Sequence, residues 1–304
     1  MSTILRTSLS FGMLLLVQAF VPTGGADILP SAIPGTIQAA EPAKDLVLEL
    51  AKGVPLTAIL IPAGTFTMGA PFNETNQGLR HALTNEGPQH PVTISRAFYL
   101  GIYPVTQAQY AAVMGAIPHR SDAKPGDEVP VPGADLPVHP FVYEDITAFC
   151  RTLSASSGRT VRLTTEAEWE YACRAGTTTA WFWGDDIALA SDYCWPAAAK
   201  GESPTHPVGQ KKPNPWGLYD MVGHITQVCS DWGGHYPRPA EADYPAGPVS
   251  DPTGPAEGVL HIARGQSGLL GNCRSAGYRA AFARPDWVFR HPFTFRVVIE
   301  LPRQ

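Results

Sequence analysis

The 304-residue chain sets 22 Lys and Arg against 27 Asp and Glu, a formal net charge of −5, and only 16% of its residues are charged. A soluble domain usually carries roughly 25%, and without a basic stripe an electrostatic nucleic-acid binder is excluded. Apolar residues at 44% are enough for a core, while 29 Gly and 30 Pro put much of the chain into turns and loops.

The chain starts with one positive charge, Arg6, then the apolar run LSFGMLLLVQAFV and a small-residue site, GGA, ending at Ala26. This is the layout of a secretory signal peptide over residues 1–26. A membrane span needs roughly 20 apolar residues, so none is expected. Residues 27–49 read as a linker and 50–304 as one domain, because no charge run, low-complexity tract or flexible spacer divides them. The protein is then secreted or periplasmic. Its five cysteines, at 150, 173, 194, 229 and 273, are too few and too far apart for a disulfide scaffold. With no CxxC pair or HExxH helix, a zinc site has no support.

The stretch LTAILIPAGTFTMG, from Leu56 to Gly69, joins β-branched runs through Pro-Ala-Gly and predicts a hairpin. HPVTISRAFYLGIYPVT, starting at His90, predicts further strand structure. TQAQYAAVMG then predicts a helix with Thr106 and Gln109 as a capping box and Gly115 as its stop. The proline-rich stretch 116–140 lacks periodicity and reads as a long surface loop. Ile146, Phe149, Cys150 and Leu153 recur at helical spacing up to Gly158, which makes Cys150 a core residue rather than a ligand. RTVRLTTEAEWEYACRAG predicts a short strand and a helix opened by a Thr165–Glu168 capping box, with Trp169 and Cys173 on one face. Glu166 and Glu170, four apart, could pair as catalytic carboxylates, but negative charge at a helix start has a dipole role of its own.

Six segments follow in an order that resembles the formylglycine-generating enzyme family, the sulfatase-modifying factors. They are IPAGTFTMGAP, NEGPQHPVTIS, YPVTQAQYAAVMG, LTTEAEWEYACRAGTTTA, HPVGQKKPNPWGLYDMVG and RGQSGLLGNCRSAGYR with the later TFRVV, spread over roughly residues 50–300. The resemblance implies a single loop-rich α+β domain of the formylglycine-generating-enzyme type, with little regular secondary structure and related to C-type lectin folds. For the family's enzymes it implies an exported oxidase that converts a sulfatase cysteine to formylglycine, using molecular oxygen and a copper ion between two thiolates.

Copper(I) is soft, and a pair of facing thiolates suits it. In the family's active members both cysteines follow a Gly-Gly-Ser strand. Here RGQS, Arg264 to Ser267, is followed by Cys273 alone, and Leu270 stands at the first thiol's position. The resemblance therefore implies that the two-thiolate copper site is missing. Cys273, with Ser267 beside it and with Arg274 and Arg279 to lower its pKa, is the catalytic group of an enzymatic reading.

GLYDMVGHITQVCSDW resembles the family's calcium segment. Carried over by position, the oxygen ligands are Asp220, the carbonyls of Met221, Gly223 and Ile225, and Gln227 in place of a Glu. Calcium takes six to eight oxygens and its affinity follows carboxylate count, so the loss of that Glu weakens the site. His224 stands for the family's Asn, and Thr226 and Val228 for its tryptophans. The family's other calcium loop, between Tyr193 and Val208, looks too short to form.

Two functions follow. One is an exported oxidase acting on a sulfatase cysteine or another peptide group, with Cys273, Ser267, His224 and Arg274 as the groups to test. The other is a binding protein for a protein or peptide ligand. Its contact stretch is AAFARPDWVFRHPF, where Phe282, Trp287, Phe289, Arg290 and His291 supply the aromatic and cationic residues typical of interfaces. The variable proteins of diversity-generating retroelements, which this stretch also resembles, are a sharper form of the same reading. The same aromatic residues could instead close the core. The missing thiol favours binding.

Overall fold

The computed structural model describes residues 43–70, 86, 88–118, 133–139, 142–195, 205–233, 247–258, 260–265, 280–283 and 293–302. The chain divides into two units, Met1–Glu41 and Pro42–Gln304, and all described residues belong to the second. The signal-peptide reading of 1–26 lies outside them.

Strand β1 (Asp45–Ala51) alternates exposed residues with Leu46, Leu48 and Leu50, and these leucines pack against one of two apolar cores. The domain thus begins within the stretch read as linker, because this period-two pattern has a core face to bury. After a turn at Gly53 the chain returns antiparallel as β2 (Val54–Ile61).

The hairpin expected between Leu56 and Gly69 does not form. β2 pairs with β5 (Phe98–Gly101), whereas β3 (Gly64–Met68) pairs with β4 (His90–Ile94) in another sheet. Pro62, which has no N–H to give a ladder, sits at the corner where the chain changes sheet. Both runs are still buried in one cluster through Ile59, Ile61 and Met68.

The larger sheet has the order β1-β2-β5-β12-β6, with β6 at Val161–Leu163 and β12 at Val297–Glu300. A four-stranded sheet runs β10-β9-β7-β11, formed by Ala280–Ala283, Leu260–Arg264, Thr226–Gly233 and Phe293–Phe295 respectively. A third joins β3 and β4 to β8 (Val249–Ser250). With few helices among these strands, the domain is α+β and loop-rich, as the sequence predicts.

Helices α1 (Gln107–Met114) and α2 (Tyr143–Ser157) end at Gly115 and Gly158, both left-handed, and α1 opens with the predicted Thr106–Gln109 box. α2 buries the predicted Ile146, Phe149, Cys150 and Leu153. α3 (Glu166–Arg174) opens with the Thr165–Glu168 box and is buried along its whole length, acidic residues included. α4 (Ala190–Tyr193) is a single turn.

Charges buried on α3 need partners, because an unpaired ion in a core is costly. Arg162 grips Glu168 with two bonds of 2.7 and 2.8 Å. Glu170 accepts from the Gly69 N–H and from Arg174 Nε, both at 2.9 Å, and from Arg264 Nη2. Arg264 also faces Glu166 at 3.4 Å. Glu166 and Glu170 therefore form an arginine clamp between α3 and β9, not an acid–base pair. Burial alone would raise the Glu170 pKa, but Arg174, Arg264 and the Gly69 N–H outweigh it and hold the carboxyl below its ordinary value.

Glu170→Ala leaves two guanidinium groups short of a counter-ion and should cost about 3–5 kcal/mol in urea unfolding at neutral pH. A depressed folded-state pKa means that this stabilisation is present above the ordinary carboxylate pKa and is lost as pH falls. The deficit of the variant should accordingly shrink in acid.

Candidate functional site

The register of the four-stranded sheet brings several chain ends to one edge. Gln227 lies opposite Arg264, Ala280 opposite Ala263, and Phe293 opposite Thr226. The chain leaves this edge after Gly265, re-enters the sheet at Ala280, and comes back to the edge at Phe293. Segment 266–279 joins Gly265 to Ala280 at this end, whereas segment 284–292 starts from Ala283, which pairs with His261 toward the other end of β9, and returns to Phe293. Ser267, Leu270, Cys273, Arg274, Trp287, Phe289, Arg290 and His291 lie in them, outside the described residues. Phe282 is placed in β10 by its backbone only.

The described residues at this end of the sheet form a floor. Asp220 takes a left-handed conformation (φ 53°), which Asp tolerates better than most residues, and Gly223 another (φ 69°). These let the chain turn tightly into β7 at Thr226.

Gln227, almost wholly buried, is the hub. Its Oε1 accepts from Trp169 Nε1 at 3.0 Å and from Arg296 Nε at 2.8 Å, and its Nε2 donates to the carbonyls of Asp220 at 2.8 Å and Met221 at 3.2 Å. Two groups that can only donate on one side and two that can only accept on the other leave one orientation for the amide. Arg296 also donates to the carbonyls of Gly101, at 2.9 Å, and Tyr219. Burial pulls its pKa down to about 10, against the opposing charge of Asp220, so it remains a cation at neutral pH.

Gly265 closes the floor. Its carbonyl accepts from Gly223 N–H at 3.2 Å, and a Cβ there would meet the Met221 carbonyl at 2.4 Å and Trp169 at 2.9 Å.

A family model described as the sulfatase-modifying factor enzyme 1-like domain matches residues 46–301. The chain belongs to this family. It is 28% identical over 302 residues to the formylglycine-generating enzyme of Streptomyces coelicolor, an alignment covering 82% of this chain and 89% of that one. The structure of PvdO from Pseudomonas aeruginosa superposes with a TM-score of 0.68 at 28% identity, over 86% of this chain and 100% of that one. Treponema denticola variable protein 1 shares the fold at a TM-score of 0.67 and 24% identity, with the same coverage of 86% and 100%.

The copper site that the family implies can be tested on the thiols. Cys150, Cys173, Cys194 and Cys229 are all buried, and the first and last stand in different apolar clusters. A recess of about 630 Å³ reaches Cys150, but burial pushes that thiol up to about 12, and it pushes Cys229 well above the ordinary thiol range. These sulfurs are packing groups and do not fit a thiolate copper centre. Among the described residues no group of three or more His, Cys, Asp or Glu is arranged to hold a metal.

Sequence reasoning singled out His224 but missed the groups that surround it. The His224 ring is buried, and its Nε2 accepts from the His206 N–H at 3.0 Å. The ring proton therefore sits on Nδ1, which faces Asp220 Oδ1 at 3.6 Å. Burial, with help from His206 and His139, lowers the His224 pKa to about 3, so the ring is neutral. His206 stacks on Trp195 at 3.6 Å, and Lys211 covers the same indole at 4.3 Å. No spacing joins positions 139, 195, 206 and 224 in the sequence; the one signal was His where the family has Asn.

At the other end of β7, His261 is held between Tyr143 at 3.6 Å and Trp232 at 3.8 Å. Beside it, Asp231 accepts from the Glu166 N–H at 2.9 Å. Burial, then the charge of Glu166, pushes the Asp231 carboxyl up to about 7. A raised folded-state pKa means that the stability it contributes is present in acid and lost as pH rises through about 7. Asp231→Asn should therefore raise the thermal midpoint relative to the native protein more at pH ~8 than at pH ~5; an equal effect at both would contradict this environment. For the floor itself, Gly265→Ala should cost more than about 2 kcal/mol, because φ is +75° and a backbone oxygen blocks the methyl group. Denaturant titration measures it.

Proposed function

We propose that this chain is a divergent, exported member of the sulfatase-modifying factor family that binds a protein or peptide ligand through segments 266–279 and 284–292, without a two-thiolate copper oxidase site. The observation that carries the reading is the location of the sulfur. Four of the five thiols are locked in the cores, which leaves Cys273 as the one sulfur in the connection after Arg264. A lone thiol cannot supply the facing pair that grips copper(I). Phe282, Trp287, Phe289, Arg290 and His291 fall in or beside the second connection. Aromatic and arginine side chains carry most interface energy, and connections over a rigid sheet are where recognition is usually placed. Among the described residues no helix is long and apolar enough to cross a membrane, and export rests on the pattern of residues 1–26.

Purified protein mixed with copper(I) and a Cys-x-Pro-x-Arg peptide should retain no copper and leave the peptide mass unchanged. Appearance of the aldehyde product would establish an oxidase instead. Trp287→Ala separates recognition from packing. A recognition residue on the surface shifts stability by no more than about 0.5 kcal/mol, whereas a loss of about 3–5 kcal/mol would mark Trp287 as core and remove it from the binding surface.

A further inference from the structure

The calcium site that the family implies rests on Asp220, the carbonyls of Met221, Gly223 and Ile225, and residue 227. The oxygens of this chain do not fit it. Gln227 turns its amino group, not its oxygen, toward the Asp220 and Met221 carbonyls, at 2.8 and 3.2 Å. Rotating the amide to offer the oxygen would set Nε2 against the N–H groups of Trp169 and Arg296, which now donate to Oε1. The Gly223 carbonyl accepts from Trp195 N–H at 3.0 Å, and Asp220 Oδ2 accepts from Gly209 N–H at 2.7 Å. Asp220 Oδ1 has no hydrogen-bond partner among the described residues and lies 3.6 Å from His224 Nδ1, which has none either. The buried guanidinium of Arg296 is adjacent, bonded to Gln227 and Tyr219. Calcium takes six to eight oxygens, and here donors already occupy the Met221 and Gly223 carbonyls and Asp220 Oδ2, while Gln227 Oε1 is held by Trp169 and Arg296.

We infer that the N–H groups of Gln227 replace the divalent cation, so that the turn from Asp220 to Gln227 is locked by hydrogen bonds and the floor at Gly265 needs no calcium. The physical logic is charge substitution. A Glu at 227 would bring a second anionic oxygen toward two carbonyl oxygens, an arrangement that only a cation makes favourable. The amide brings two protons to the same oxygens. Arg296 keeps the positive charge nearby without a metal. The turn is tied to the site through Gly223 N–H and Gly265 carbonyl, so its state sets where the chain leaves β9. The inference does not depend on the binding reading, since an enzyme built on the same floor would be equally independent of calcium.

The test uses the full protein and its Gln227→Glu variant, both stripped with chelator and then given about 5 mM calcium, above the millimolar range of weak extracellular sites. The native protein should melt at the same temperature in both conditions and show no retained calcium in its native mass spectrum. Gln227→Glu should melt about 5 °C or more below it in chelator and recover in calcium with a mass gain of one ion. A variant that folds only in calcium is the same result in stronger form. Two outcomes overturn the inference: a calcium ion on the native protein that Asp220→Ala removes, or a Gln227→Glu variant as stable as the native protein without calcium. Should the variant fail to fold in either condition, the native mass spectrum decides alone.

Discussion

A single buried amide, that of Gln227, meets the core through Trp169, the turn at 220–221 through two carbonyls, and the last sheet crossing through Arg296. Arg296 stands between β11 and β12, where the chain passes from the four-stranded sheet to the five-stranded one. The four bonds around Gln227 therefore hold two sheets and α3 in one relation. Each buried polar group left unmet costs about 1–3 kcal/mol, so a change at this position would be felt by several elements together. The end of the sheet from which the chain leaves β9 depends on that relation.

A second polar layer lies under the same end. Arg264, the last residue of β9, is clamped by Glu170 and Glu166 and lies over the Trp169 ring at 5.3 Å. Buried ion pairs of this kind add little net stability when intact but cost much when broken. Their effect is to specify geometry: β9 ends at one place, against α3, and the glycine that follows has room for no side chain. Scaffold residues are thus tightly constrained up to Gly265.

The polar floor is fixed by residues of the shared family framework. Fold does not by itself choose a function. In this chain the framework of the sulfatase-modifying factor domain is kept, with its capped helices and buried Trp169. On the proposed reading, the positions that the family resemblance ties to metals differ here: one thiol follows Arg264 instead of two, and Gln227 stands for a glutamate. The second change has an internal logic, since it places N–H groups toward the Asp220 and Met221 carbonyl oxygens.

The sequence alone determined the family, the α+β class, the caps at Thr106 and Thr165, the stops at Gly115 and Gly158, and the buried stripe of α2. These are local signals: a capping box or a helical stripe is complete within a few turns of chain. Strand partners were not legible, because two β-branched runs joined by Pro-Ala-Gly between Leu56 and Gly69 read the same whether the strands pair with each other or turn a corner into different sheets. The role of Gln227 was not legible either. In one dimension it reads as a weakened oxygen ligand; only the arrival of Trp169 and Arg296 from distant parts of the chain decides which end of the amide faces the carbonyls. Tertiary structure likewise turned Glu166 and Glu170 into an arginine clamp, because Arg264, which pairs with them, lies on a strand close to a hundred residues away.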